Sequence, residues 1–182
     1  MNFVVHGVNT NMYKEFKPIY PKFRDVVEQC KQLSDKHGDW DNNPDSQIAI
    51  QTDDASQDNW RAGNGVSLGK TAKWEHTFNQ LQPSLVGTPI DEYLQWLGVS
   101  VYRARIMLSR PKGCYSVHRD FSPRLHLPLV TNRQCNFLIT DPIQFFHLPA
   151  DGKTTWVNTT KPHTFMNGST EKRLHLVMIV KE

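Results

Sequence analysis

A chain of 182 residues, 38% of them apolar, with 21 basic against 18 acidic side chains and a formal charge of +3, has the material for one domain of ordinary size. No run of Lys and Arg forms a nucleic-acid arm, and no uncharged apolar stretch approaches the roughly 20 residues a membrane span needs, so neither partner is indicated. The N-terminal MNFVVHGVNTNMYKEF lacks the basic-then-apolar order of a secretory leader, and Cys30, Cys114 and Cys135 form no CxxC pair; a cytoplasmic protein with reduced thiols is expected.

Along the chain, Phe23, Val26, Val27, Cys30 and Leu33 recur at steps of three and four, predicting a helix over residues 20–37 that stops at Gly38. Residues 38–70 are rich in Asn, Asp, Gln and Gly and read as loops with one short strand over 47–51. Ile90, Tyr93, Leu94 and Leu97 share one face of a second predicted helix, residues 89–98. Trp40, Trp60 and Trp74 in this half read as core or rim anchors.

From residue 100 the pattern changes to short β segments at 100–109, 124–131, 135–140, 143–148, 154–158 and 172–180, rich in Val, Ile, Leu, Phe and Thr. Helices first and many strands after, without βαβ alternation, predict a mainly β sandwich or barrel with flanking N-terminal helices. One domain over residues 1–182 is expected, its helical and loop part ending at residue 99 and its β part, with the site, beginning at 100.

The segment Tyr115-Ser116-Val117-His118-Arg119-Asp120 is followed, 43 residues beyond Asp120, by His163. In extended chain His118 and Asp120 point to one side, because side chains alternate with period two. Two imidazoles and a carboxylate suit Fe(II), filling one face of an octahedron and leaving three positions for other molecules. HxD alone is a weak motif, more often a surface pair than a metal site. Polar residues on strands that ought to be apolar change that balance.

In Arg124-Leu125-His126-Leu127, period two sets Arg124 and His126 opposite the leucines, and the same tetrapeptide recurs at 173–176 with Arg173 and His175. In residues 102–108, Arg103 and Arg105 oppose Tyr102, Ala104, Ile106 and Leu108. Any one such strand could sit with its polar face in water. Three of them beside an HxD…H set predict a pocket, and a buried arginine needs an anion. A dicarboxylate that chelates the metal at one end would place its far carboxylate on a guanidinium. Asn167-Gly168-Ser169 between two β segments predicts a hairpin with a three-residue loop or bulge that sets Arg173 opposite His163.

HRD at 118–120, RLHLPLVTN at 124–132, PH at 162–163 and NGSTEKRLHLV at 167–177 resemble the aspartyl/asparaginyl β-hydroxylase-like group of Fe(II)/2-oxoglutarate-dependent oxygenases, with a likeness to bacterial proline hydroxylases. The resemblance covers residues 100–182. It implies a double-stranded β-helix, a cupin-like jelly roll, with His118, Asp120 and His163 as metal ligands. It also implies Fe(II), 2-oxoglutarate and O2 as cofactor and co-substrates, with ascorbate a candidate reductant. Arg173 would take the distal carboxylate of 2-oxoglutarate, Arg124 and His126 would line the same pocket, and Arg105 falls near a position where relatives carry a small polar co-substrate contact. Vertebrate members have Gly where this chain has Asp120, and the complete triad is closer to the proline-hydroxylase pattern.

The implied substrate is an amino acid or a residue in a peptide or protein. The competing readings are a nucleic-acid demethylase, whose second arginine six residues after Arg173 is lacking here, a non-catalytic metal- or carboxylate-binding jelly roll, and a zinc hydrolase. Oligomeric state is not legible in the sequence.

Overall fold

The computed structural model describes residues 12–38, 47–64 and 74–180. The described chain runs β1 (Tyr13–Lys17), α1 (Phe23–His37), β2 (Gln47–Ala49), β3 (Gln51–Thr52), β4 (Gln80–Leu81), α2 (Pro89–Trp96), β5 (Val101–Ser109) and β6 (Gly113–Cys114). It continues through β7 (Arg124–Val130), β8 (Cys135–Thr140), β9 (Ile143–Phe146), β10 (Thr154–Val157), β11 (His163–Asn167) and β12 (Arg173–Val180). Single 3-10 turns lie at Glu75–Thr77 and Pro83–Leu85.

Two antiparallel sheets build the jelly roll. The larger has the order β1-β10-β7-β12-β5-β2 and the smaller β6-β11-β8-β9, while β3 and β4 form a separate pair. The larger sheet separates two environments. On its outer face Leu125, Leu127, Leu129, Leu174, Leu176, Met178, Ala104, Ile106 and Leu108 pack against Val26 and Cys30 of α1 and Ile90, Tyr93 and Leu97 around α2. Each such leucine, removed from water, contributes about 1.5–3 kcal/mol. The inner face, carrying the alternate residues, looks toward Phe137 and Phe165 of the smaller sheet. That is why β7 and β12 are buried almost throughout, in strands whose alternation is otherwise that of a half-wet surface.

The helices follow ordinary chemistry. α1 carries Asp25 in its first turn and Lys36 and His37 in its last, matching the macrodipole. α2 begins on Pro89 and ends at Leu97, with Gly98 following at φ +67°, the left-handed conformation that closes a helix without a Cβ penalty. Tyr93 ties α2 to β10 through a 2.8 Å hydrogen bond with Thr154.

Four sequence expectations need correction. β1 lies in YKEFK, whose charged residues hid it; it pairs with β10 at the edge of the larger sheet, where outward charges are tolerated. The predicted strand over 47–51 is divided at Ile50 into β2, which pairs with β5, and β3, which pairs with β4. Period two fails in β5 at Arg103, which has φ +49° beside a register shift against β12, so Tyr102 leaves the core face and stacks edge-on with His76.

The fourth concerns Asn167-Gly168-Ser169, which is no hairpin. β11 pairs with β8 and β6, whereas β12 pairs with β5 and β7, so Arg173 sits opposite Ser109 and the segment is a crossing between sheets. The crossing is clamped by the buried side chain of Asn167. Its amide donates to the carbonyls of Ser109 (3.2 Å) and Glu171 (2.8 Å), and its oxygen accepts from the backbone and hydroxyl of Ser169. Of the tryptophans, Trp60 packs on the core and against His37, Trp74 is exposed, and Trp40 lies outside the described residues.

Gly168 is not at positive φ, and a Cβ there would meet the Gln134 carbonyl at an ordinary 3.5 Å. Asn167→Ala should therefore lower the unfolding free energy by about 2–3 kcal/mol, because buried polar partners lose their hydrogen bonds. Gly168→Ala should change it by less than about 0.5 kcal/mol. Urea denaturation checks both; a hairpin turn would reverse the ranking.

Candidate metal and anion site

His118 and His163 come from segments 45 residues apart in sequence, joined by a reciprocal backbone bridge: each amide donates to the other's carbonyl, at 3.0 and 2.9 Å. Residues directly opposite in an antiparallel pair point to one face, and the two rings lie with centroids 4.4 Å apart. Asp120, two residues on from His118, returns to that face and is anchored by its amide to the carbonyl of Thr159 (2.9 Å). Donor atoms of His118, Asp120 and His163 all lie within 4.8 Å of one another.

The imidazoles are oriented by the backbone. Nδ1 of His118 meets the carbonyl of Ser116 at 2.8 Å, and Nδ1 of His163 meets that of Lys161 at 2.9 Å. A carbonyl can only accept, so both Nδ1 atoms carry the proton and both Nε2 lone pairs are free to ligate. His163 Nε2 and Asp120 Oδ2 stand 3.9 Å apart, too far for a hydrogen bond and suited to two donors on one ion. Burial lowers the pKa of His163, which favours the neutral, ligating ring. For Asp120 burial opposes ionisation, but Arg124, Arg105 and His163 outweigh it and hold the carboxyl below its usual value. The donor set is therefore two imidazoles held by backbone carbonyls at Nδ1, and an ionised carboxylate.

Behind these groups a cavity of about 450 Å³ opens between the sheets, lined by Arg105 and Met107 of β5, Arg124 and His126 of β7, Arg173 and Val177 of β12, and Phe137, His163 and Phe165 of the smaller sheet. Arg105, Arg124, His126, Arg173 and His175 are all at most 7% exposed, so the polar faces of these strands are not in water. Arg173 stacks over Phe165, 3.6 Å from its ring centroid, and hydrogen-bonds His175, whose Nδ1 is 3.5 Å from that of His126. The Nε of Arg173, the Nε and Nη1 of Arg105 and the Nε2 of His126 are buried without a partner. A second, wider cleft of about 700 Å³, lined by His76, Tyr102, Phe121 and Trp156 among others, lies beyond Ser122 and includes none of the three donor residues.

The arginines of these strands imply an anionic ligand, and the structure supplies part of the answering charge from within the chain. Glu75, 3% exposed, pairs with both Arg103 and Arg124, the latter at 2.7 Å. Arg124 also reaches Asp120 Oδ1 at 3.1 Å, and Arg103 bonds the carbonyl of Gly63. Two of the four guanidiniums are thus answered from within the protein. Glu75 had no motif to announce it; the one signal was the arginine surplus itself, which demands buried carboxylates somewhere in the chain.

Residues 22–182 match the family described as aspartyl/asparaginyl beta-hydroxylase. Among solved structures, EvdMO1 aligns with TM-score 0.54 and 13% identity over 92% of this chain, which spans only 46% of that one. AviO1 from Streptomyces viridochromogenes Tue57 aligns with TM-score 0.53 and 12% identity over 94% of this chain and 90% of the other. A prolyl-4-hydroxylase from Pseudomonas putida gives 0.50 and 13% over 93% and 91%. These likenesses show a shared fold. No curated protein matches the chain.

Two outcomes follow from the charge arrangement. Glu75→Ala takes a shared buried carboxylate from two guanidiniums and should cost about 3–5 kcal/mol of stability. The double change with Arg103→Met should cost less than the sum of the singles, which a double-mutant cycle by denaturation would read. Burial also holds His126, His163 and His175 below their ordinary pKa, the first and last of them well below. The unfolded chain then binds more protons, so stability should fall as pH drops below about 6.5, by up to about 1.4 kcal/mol per pH unit for each ring. Urea midpoints of metal-free protein between pH 7.5 and 5 check this; a flat profile would contradict neutral burial.

Proposed function

The chain belongs to the aspartyl/asparaginyl β-hydroxylase family, and from that premise we propose that it is an Fe(II)- and 2-oxoglutarate-dependent dioxygenase that hydroxylates an amino acid or a residue in a peptide. His118, Asp120 and His163 would hold the metal and Arg173 the distal carboxylate of 2-oxoglutarate. The observation that carries this reading is one cavity with two features: two Nε2 lone pairs and a carboxylate converge at one end, and Arg173, fully buried with an unpartnered Nε, stands in the same space.

The donor set fits the metal. Two imidazoles and one carboxylate on one face suit a divalent first-row ion with open positions. When bound, Fe(II) activates O2 in a reaction coupled to oxidative decarboxylation of 2-oxoglutarate to succinate and CO2. The residues of this chain supply the setting. The Ser116 and Lys161 carbonyls fix the imidazole tautomers, and Arg124 holds one oxygen of Asp120 so that the other can face the ion. Phe137 and Phe165 exclude water from the space beside Arg173, which strengthens its attraction for a carboxylate. His126 lines the same space.

Loss of a charge-assisted, bidentate contact costs about 3 kcal/mol, so Arg173→Met should raise the KM for 2-oxoglutarate on the order of 100-fold. Asp120→Ala and His163→Ala should abolish metal-dependent succinate formation and weaken Co(II) binding followed by its visible absorption. A hydrolytic zinc site would use the same three ligands without Arg173. Insensitivity of the 2-oxoglutarate requirement to Arg173→Met would reject the dioxygenase reading.

A further inference from the structure

The outer face of the smaller sheet has no counterpart to the helices that cover the larger one. Along β8, Cys135, Phe137 and Ile139 point into the core, so Asn136, Leu138 and Thr140 point outward. The strand registers set Leu138 between Thr164 of β11 and Phe145 of β9, Asn136 beside Met166, Thr140 beside Ile143, and Met166 beside Cys114 of β6. Val117 precedes His118, which opposes His163, and alternation turns it to this outer face as well. Among the described residues no element packs over it: Val117, Ile143 and Phe145 remain 56%, 80% and 57% exposed.

The chemistry of this face is not that of a surface built for water. None of the nine outward positions carries a charge, in a chain in which 21% of residues do. Their polar side chains are already engaged within the chain. Thr164 donates to the carbonyl of Tyr115, Thr140 to that of Pro162 (3.2 Å), Asn136 to that of Arg133 (3.1 Å), and the Cys114 thiol to that of Tyr115 (3.2 Å). The two sheet edges show the contrast: β1 carries Lys14, Glu15 and Lys17, whereas β9, at the edge of the smaller sheet, reads Ile-Gln-Phe-Phe. A contiguous apolar surface of this kind marks an interaction site.

The missing charges select the partner. A nucleic acid or an anionic lipid surface would be met by Lys or Arg on the face, and neither is there. A second copy of this chain needs neither. A symmetric contact turns each patch onto itself, so a charge near the axis would meet its like; a charge-free face is where two chains of net charge +3 can approach. Sheets of the same twist also stack well, about 10 Å apart and within roughly 30° of one another, with side chains interlocked. We infer that the outer face of the smaller sheet joins two copies of this chain, sheet stacked on sheet. Four strands roughly 4.8 Å apart, carrying rows of side chains roughly 7 Å apart, give a footprint about 20 Å on a side, small for a specific interface and suited to a Kd on the order of 10 µM. The contact lies on the reverse of the strand pair that joins His118 to His163 and includes no residue that lines the cavity, so it stands apart from the dioxygenase reading.

Sedimentation equilibrium of the full chain without added metal, from about 1 to 500 µM, tests this by spanning the expected Kd. A reversible monomer–dimer equilibrium is expected. Phe145→Glu and Ile143→Lys, at exposed positions that leave the urea midpoint unchanged, should each weaken it at least about tenfold, because the charge enters the contact twice. Val86→Lys, also at an exposed apolar residue but in the turn before α2, should leave the Kd within about twofold. Hydroxyl-radical footprinting of the unaltered chain gives a second readout: labelling of Phe145 and Met166 should fall as the dimer forms, while labelling of exposed Trp74 stays constant. A single monomeric species throughout the range would overturn the inference. So would a dimer that Phe145→Glu and Ile143→Lys leave intact, or one in which Phe145 and Met166 keep their full labelling. A monomer that sediments with phosphatidylcholine and phosphatidylglycerol vesicles, and is released by Phe145→Glu, would assign the face to lipid and overturn it as well.

Discussion

A guanidinium taken out of water must meet an anion, and the inner face of the larger sheet takes four of them out of water. Arg103, Arg105, Arg124 and Arg173 are each at most 7% exposed. The structure resolves the demand in two ways. Arg103 and Arg124 are closed by Glu75, with Asp120 completing the chain of charges toward the donor cluster. This half is architecture: it stiffens the wall and fixes the orientation of a carboxylate. Arg105 and Arg173 are left to face the cavity, each with a guanidinium nitrogen that has no partner. Unanswered cations destabilise the empty protein and raise its affinity for whatever neutralises them, so stability withheld from the fold is available to binding.

The same division explains the position of the donor cluster. His118 lies on a segment between β6 and β7 that belongs to neither sheet. It is tied to the smaller sheet by the two-way backbone bridge to His163, and Asp120 is held by Thr159, in the turn before β11. The donors therefore gather where loop and sheet meet, at the mouth and not in the packed interior. Residues there can present lone pairs to an ion because their remaining polar atoms are already spent on backbone carbonyls.

Much of this was legible in the residues alone, for identifiable reasons. The helices over 23–37 and 89–96 announced themselves by apolar spacing, and the RLHL repeats placed Arg124, His126, Arg173 and His175 on one face because strand alternation is rigid over short, regular stretches. Alternation failed at Arg103, where a single residue at positive φ re-aims two side chains; nothing local marks such a bulge. The Asn-Gly-Ser hairpin failed because turn chemistry is local, whereas pairing is decided by which sheet has room. Asn167 carries the explanation in its five hydrogen bonds, which serve a sheet-to-sheet crossing as well as a turn would. β1 was hidden by its charges, which are what an edge strand should carry.

Glu75 is the most instructive omission, because it ties the half of the chain without motifs to the half that has them. Residues from 100 onward carry the donor cluster and four buried arginines, yet the one acidic group they set against them is Asp120, whose side chain is still 11% exposed. A second carboxylate must come from outside that segment, and the turn at Glu75–Thr77 delivers it through the sheet wall to Arg103 and Arg124. The β core therefore could not keep its inner face dry and correctly charged by itself. Family similarity that begins at residue 22 instead of residue 100 is what this dependence leads one to expect. The earlier half is retained for two physical tasks: α1 and α2 cover the apolar outer face, and Glu75 neutralises the inner one.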